Sequence, residues 1–179
     1  MIYICRHGET EWSKIGRHTG LTDLGLTDTG KQQALALKKR LQGIQFAQVF
    51  SSPLRRARET AELAGFHPQI APEAREWDYG NYEGKTSDEI GPEWNLFRDG
   101  APGGESPSQV AVRADKLIHL FGPGPVLLFS HGHFLRMLAA RWLGLPPEKG
   151  NLFVLSTGSL SILGLEKQQK VIVQWNVSG

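Results

Sequence analysis

Residues 1–10 read MIYICRHGET, and the fold is decided where the apolar run ends. Residues 2–5 combine β-branched, aromatic and small apolar side chains, the composition of a short buried strand. The run stops at Arg6-His7-Gly8-Glu9-Thr10, so a guanidinium and an imidazole arrive together at the strand's carboxyl end. In an open α/β sheet, ligands sit at that end because the loops there diverge into a crevice. Gly8 lets the chain turn and come close to a ligand. The same logic recurs far along the chain: residues 125–129 form another apolar run, and it delivers Ser130-His131-Gly132-His133. Two strand ends, each handing over a histidine followed by glycine, predict one site built from both.

Helical and strand patterns alternate around these two runs. Residues 11–26 are polar, carry Gly16, Gly20 and Gly25, and read as a loop folded back over the strand end. Thr27-Asp28-Thr29-Gly30 opens a helix that Gly43 ends. Residues 46–50 are a second strand, and a helix begins near Pro53 or Leu54, where a first-turn proline costs nothing, and stops at Gly65. Gln69-Ile70 is a short strand leading into residues 74–80. Residues 81–107 are the least regular part, with a short helix around 87–97 and a loop at 100–104. Val110, Ala111, Ala114, Leu117, Ile118 and Phe121 follow helical spacing over 107–121, and a further helix covers 134–143. Residues 159–165 and 170–175 read as a closing hairpin. The alternation predicts one three-layer α/β/α domain over 1–179, its central sheet mainly parallel with an antiparallel edge.

The bulk numbers exclude several classes. A chain of 179 residues with 40% hydrophobic content suits one substantial core. A net charge of +2, without long runs of like charge, argues against a nucleic-acid surface. Cys5 is the one cysteine, so no intrachain disulfide can form, and its apolar neighbours mark it as a core thiol. No window is apolar enough to span a bilayer. The chain starts on a strand instead of a basic segment before a long apolar run, so a cytosolic protein is expected.

Two histidines with arginines at strand ends make a pocket suited to a dianion, since guanidinium matches phosphate oxygens bidentately. Arg6 is one candidate; the other is among Arg55, Arg56 and Arg58, at the start of a helix whose free N–H groups add positive potential. An imidazole can attack phosphorus when one nitrogen is free and a backbone acceptor holds the other. The leaving alcohol then needs a proton, which a carboxylic acid supplies. Glu9, Glu76, Asp78, Glu83 and Glu105 are the candidates, and Glu76 and Asp78 stand best, where a short strand gives way to a glycine-containing loop.

Six ordered stretches carry a resemblance: RHGETEWS at 6–13, RHTGLTDLGLTDTG at 17–30, SSPLRRARETA at 51–61, REWDYGNYEG at 75–84, GGES at 103–106 and SHGHFLR at 130–136. Together they resemble the histidine phosphatase superfamily, in the branch that holds phosphoglycerate mutases and their small phosphatase relatives. The resemblance implies the phosphoglycerate mutase-like fold, His7 as the phosphorylated nucleophile and Arg6 as the grip on the transferred group. It selects Arg56, the arginine directly before alanine, and places Glu76 as proton donor and His131 as second pocket histidine. Thr19 and Gly20 match residues lining the phosphate site, and the backbone N–H of Gly132 or His133 is a further oxygen contact. Where the family frequently has asparagine this chain has Ser13, a single donor of shorter reach.

The expected activity is metal-independent phosphomonoester hydrolysis without a cofactor. The expected substrate is a small phosphorylated metabolite: a sugar phosphate, a phosphoglycerate or a nucleotide-like compound. No nucleic-acid or membrane partner is expected. A phosphoglycerate mutase uses the same intermediate but needs a pocket shielded from water, and 81–107 is the segment that could cover the site. A metallohydrolase built on His131-Gly132-His133 and a non-catalytic phospho-ligand module are the rivals from other classes.

Overall fold

The structure is a computed structural model that describes residues 1–178. A six-stranded sheet runs in the order β3-β2-β4-β1-β5-β6. Its strands are β1 (Ile2–Arg6), β2 (Gln48–Ser51), β3 (Gln69–Ile70), β4 (Val126–Ser130), β5 (Leu160–Glu166) and β6 (Gln169–Val177). Strands β3, β2, β4 and β1 pair in parallel. The hairpin β5–β6 adds the antiparallel edge by pairing β5 with β1.

The residue pattern explains the burial. β4, sequence VLLFS, is buried along its whole length, as a central parallel strand covered on both faces should be. Successive side chains take opposite faces. Cys5, Leu127 and Phe129 meet Leu37 and Leu41 of α2 (Asp28–Leu41) and Ala61 of α3 (Arg55–Leu63). Ile4 and Leu128 meet Val110, Ala114 and Leu117 of α6 (Pro107–Leu120), with Phe134 and Leu138 of α7 (Gly132–Trp142). Each such large apolar side chain contributes about 1.5–3 kcal/mol by leaving water. Ser106 and Gln109 cap α6 reciprocally, with Pro107 in the first turn.

Register positions the site. β1 and β4 align Ile2 with Val126 and Arg6 with Ser130, so the two histidines leave the sheet side by side. The pairing continues one step beyond the strands, where His7 N donates to Ser130 O at 2.9 Å.

Two segments differ from the sequence reading. Residues 11–26 are not all loop: Glu11–Lys14 form a single turn, α1, capped by the reciprocal Thr10–Ser13 pair. One turn is too short to show a period. The helix expected around 87–97 is two helices, α4 (Ser87–Ile90) and α5 (Leu96–Asp99). Gly91, at φ 128°, and Pro92 separate them, the first leaving helical space and the second lacking an N–H. Among the described residues no helix is long and apolar enough to cross a membrane.

Candidate active site

His7 leaves β1 and is held at once. Its Nδ1 lies 2.7 Å from Gly8 O, an acceptor, so the ring proton sits on Nδ1 and Nε2 is left as a free nucleophilic lone pair. Gly8 is fixed in turn, its N donating to Thr60 Oγ1 at 3.0 Å. A side chain at Gly8 would put its Cβ 2.3 Å from Gly30 O, so only glycine fits. Burial lowers the His7 pKa well below the ordinary histidine range, and the charges of Arg56 and Arg6 push the same way against the Gly8 bond. The ring is therefore neutral near pH 7, as a nucleophile must be.

Three buried groups close to His7 lack partners. Arg6 Nη1 donates to Leu155 O at 2.5 Å, yet Arg6 Nε has no acceptor. Arg56, fully buried, donates from its terminal nitrogens to Thr19 O, Gly20 O and Thr22 O at 2.8, 2.9 and 3.1 Å, and its Nε is also unpartnered. The His131 ring lies 5.2 Å from that of His7. His131 Nε2 is 2.7 Å from Ser52 Oγ; the buried serine accepts from Leu54 N and has no other acceptor for its own proton among the described residues, so that proton serves Nε2 and the ring proton sits on Nδ1. That Nδ1 is unpartnered. An unmet buried donor costs about 1–3 kcal/mol. Three of them around one imidazole suit a ligand that brings several acceptor oxygens.

Glu76 occupies the start of α7. Its Oε1 accepts from Trp77 N and Phe134 N at 2.8 and 2.9 Å, and its Oε2 from His133 N at 3.1 Å. The helix has no side-chain cap of its own at His131, and this carboxylate, from a distant segment, serves instead. Oε1 holds two donors while Oε2 holds one, so Oε2 is the oxygen able to carry a proton.

A cavity of about 240 Å³ opens over these groups, lined by Arg6, His7, Glu76, Tyr79, Gly132 and His133, and further out by Arg17, His18 and Arg136. Its outer wall is a pair of interlocked segments. His18 N donates to Lys85 O at 2.9 Å and Gly84 N to His18 O at 2.8 Å. Glu83 takes Gly20 N at 2.9 and 3.0 Å and Thr22 N at 3.3 Å. Arg56 holds the same stretch from beneath through its carbonyls.

The profile of the histidine phosphatase superfamily (branch 1) matches residues 2–178. The chain belongs to that superfamily. An acid phosphatase of Mycobacterium tuberculosis is 39% identical over 99% of this chain and 93% of its own length. The sedoheptulose 1,7-bisphosphatase of Saccharomyces cerevisiae is 35% identical over 82% of this chain and 68% of its own length. A Photorhabdus laumondii protein named "Probable phosphoglycerate mutase GpmB" is 32% identical over 98% of this chain and 90% of its own length. The solved structure of the Rv3214 product of M. tuberculosis superposes with a TM-score of 0.94 at 38% identity, covering 99% of this chain and 97% of that one.

In this chain Arg6, His7, Glu76 and Gly132 meet at the cavity, with Ser13 and Thr19 also on its lining. His131 and Arg56 sit directly behind, without solvent exposure. Gly20 does not reach the cavity: its N–H goes to Glu83 and its carbonyl to Arg56. The hydroxyl of Ser13 donates to Thr10 O at 3.0 Å and accepts from Thr10 N at 2.9 Å, so it serves the α1 cap. Of the two backbone donors expected near His131, His133 N is held by Glu76, which leaves Gly132.

Of the five acidic candidates only Glu76 lines the cavity. Glu105 is bound by Arg113 and Arg75, Glu9 takes Thr27 Oγ1, and Asp78 Oδ1 accepts from Gly80 N. His131 and His133 engage different neighbours, Ser52 and Tyr79, and among the described residues no three of His, Cys, Asp and Glu gather as a metal site. The sequence reading missed His18, the Tyr79 and His133 rings, Arg17 and Arg136. From the segment 81–107, Ser87 alone reaches the lining.

Proposed function

We propose that this chain hydrolyses phosphomonoesters of small metabolites, sugar phosphates above all, through a phosphohistidine on His7. One observation carries the reading: a neutral imidazole with Nε2 free, ringed by three buried donors that lack acceptors. Arg6, Arg56 and His131 hold the phosphoryl oxygens as Nε2 of His7 forms a bond to phosphorus and the ester P–O bond breaks. Glu76 Oε2 hands a proton to the departing alkoxide, then takes one from the water that attacks the phosphohistidine. Inorganic phosphate leaves and His7 is restored. The two guanidinium charges supply the field that a metal would otherwise provide, so the rate should survive treatment with a strong chelator.

The relatives named acid phosphatase and sedoheptulose bisphosphatase support hydrolysis of a small phosphorylated substrate. The relative named as a mutase keeps phosphoryl transfer between substrates as a second reading.

The test is to quench a turning-over reaction with labelled substrate in alkali and look for an acid-labile, alkali-stable phosphoprotein. It should form in the native protein and be absent in His7→Ala; normal labelling of that variant would reassign the nucleophile. Incubation with 3-phosphoglycerate and its bisphosphate should give free phosphate in preference to 2-phosphoglycerate.

A further inference from the structure

The chemistry above leaves a cluster of rings beside the leaving-group acid without a task. Tyr79 Oη lies 2.5 Å from His133 Nδ1. The His133 ring stacks on His18, with centroids 5.8 Å apart and planes within 8°, and meets Phe97 edge-on at 5.7 Å. Among the described residues Nε2 of His133 has no protein partner, and the residue lines the cavity.

The bonding fixes where the protons are. Tyr79 is 2% exposed and its hydroxyl has one neighbour able to accept, His133 Nδ1. Burial first, and then the Glu76 carboxylate, raise the Tyr79 pKa well above the ordinary phenol value, so the hydroxyl keeps its proton. Were Nδ1 the donor, the phenolic proton would be stranded in the interior, at a cost of about 1–3 kcal/mol. Oη therefore donates to Nδ1, and the ring proton of neutral His133 stands on Nε2. Burial, followed by the charges of Arg136 and His18, keeps that ring neutral by lowering its pKa. The result is an uncharged donor of fixed position on the cavity wall.

Its place along the chain says what it meets. The backbone N of the same residue donates to Glu76 Oε2, the oxygen proposed to protonate the leaving alcohol. The ring thus lines the cavity on the residue that holds the leaving-group acid.

We propose that His133, fixed by Tyr79 as the Nε2–H tautomer, donates to a hydroxyl on the leaving alcohol close to its ester carbon, and so selects polyol and sugar phosphates over plain alkyl phosphates. This rests on the hydrolase reading for which side of the cavity the alcohol occupies. A donor left unmet in a site built to use it penalises the ligand that lacks the acceptor, the asymmetry by which hydrogen-bonding pockets reject deoxy analogues. His133 is then a specificity-determining residue, and Tyr79 a positioning residue acting through it.

The test uses two non-hydrolysable probes, 2,3-dihydroxypropylphosphonate and propylphosphonate, titrated calorimetrically into the full chain. The native protein should bind the diol about tenfold more tightly or better. Tyr79→Phe and His133→Leu should each abolish the preference by weakening the diol more than propylphosphonate, and the double variant should lose no further preference. His133→Asn, which restores an N–H donor, should recover part of it. Nitrogen-15 shifts of the ring at neutral pH should show Nε2 protonated and Nδ1 bare, a readout that needs neither turnover nor the Tyr79 variant. Equal affinities in the native protein, or a proton on Nδ1, overturn the proposal. A protein that prefers the diol yet hydrolyses no ester keeps this inference and loses the hydrolase reading. One that hydrolyses esters but binds both probes equally does the reverse.

Discussion

The imidazoles of His7 and His131 stand 5.2 Å apart with planes tilted by 55°. Burial is the main cause that lowers both pKa values well below 6.5, and Arg56 and Arg6 add to it. Folded values below the unfolded one mean that unfolding takes up protons in acid. The stability gained by keeping these rings neutral is complete above about pH 6.5 and drains as pH falls below it toward their folded values. Tm should therefore drop between pH 7 and pH 5, and His131→Gln should flatten that slope. Saturating phosphate, whose charge favours protonated rings, should raise Tm more at the acid end. A pH-independent Tm would show that the rings are not held neutral.

Removing the acid at Glu76 should hurt most where the leaving group is poorest. Glu76→Gln keeps an oxygen for Trp77 N and Phe134 N, gives up the acceptor for His133 N, and removes the transferable proton. With an alkyl phosphate kcat/KM should fall about 10²-fold or more, and with p-nitrophenyl phosphate far less. An equal loss across a leaving-group series would reduce Glu76 to a cap for α7.

Gly132→Ala places a methyl group 3.1 Å from Arg6 Cζ and Nε. The side chain can yield by a few tenths of an ångström, so the protein should fold with little change in Tm. The guanidinium would no longer sit where the phosphoryl oxygens need it, and kcat/KM should fall about tenfold or more. Kinetics and melting measured on the same sample separate these effects.

Arg113 carries the opposite expectation. It gives Nε and Nη2 to the two oxygens of Glu105, each at 2.8 Å, and Nη1 to Glu73 O and Arg75 O at 2.6 and 3.0 Å. Burial alone would raise the Glu105 pKa; the hydrogen bond and charge of Arg113 outweigh it and hold the value down. Arg113→Met leaves that carboxylate with the Asp78 N–H and with Arg75, itself partly exposed. The loss should be about 3–5 kcal/mol, seen as a fall in Tm of about 10 °C. A neutral substitution would mean that Arg75 suffices.

The parts legible in the sequence were those written in consecutive residues. The apolar runs before His7 and His131 mark two strands whose ends build one site, the glycine after each histidine marks the turn, and the structure pairs the strands in parallel. The choice among Arg55, Arg56 and Arg58 was visible only by resemblance, because helical spacing alone does not say which side faces the sheet. Buried Arg56, Ala57, Thr60 and Ala61 now mark that side. The outer wall was out of reach for another reason. It depends on pairs such as His18 with Lys85, Gly20 with Glu83 and Tyr79 with His133, which are far apart in the chain and obey no period. The resemblance puts Gly20 at the phosphate site; that Glu83 takes its N–H cannot be read from spacing.

Arg56 ties the helix that carries it to the stretch that forms the outer wall. Its Nε is left without a partner while its other nitrogens hold the carbonyls of Thr19, Gly20 and Thr22, the stretch from which the outer wall rises. Selectivity in this chain therefore has limited freedom to drift on its own. Insertions or deletions within residues 19–22 would unseat the guanidinium proposed to grip the phosphoryl group, whereas exchanges of side chain at His18, Tyr79 or His133 remove none of its hydrogen bonds. New substrates are reached here by changing what the wall displays, with its course fixed.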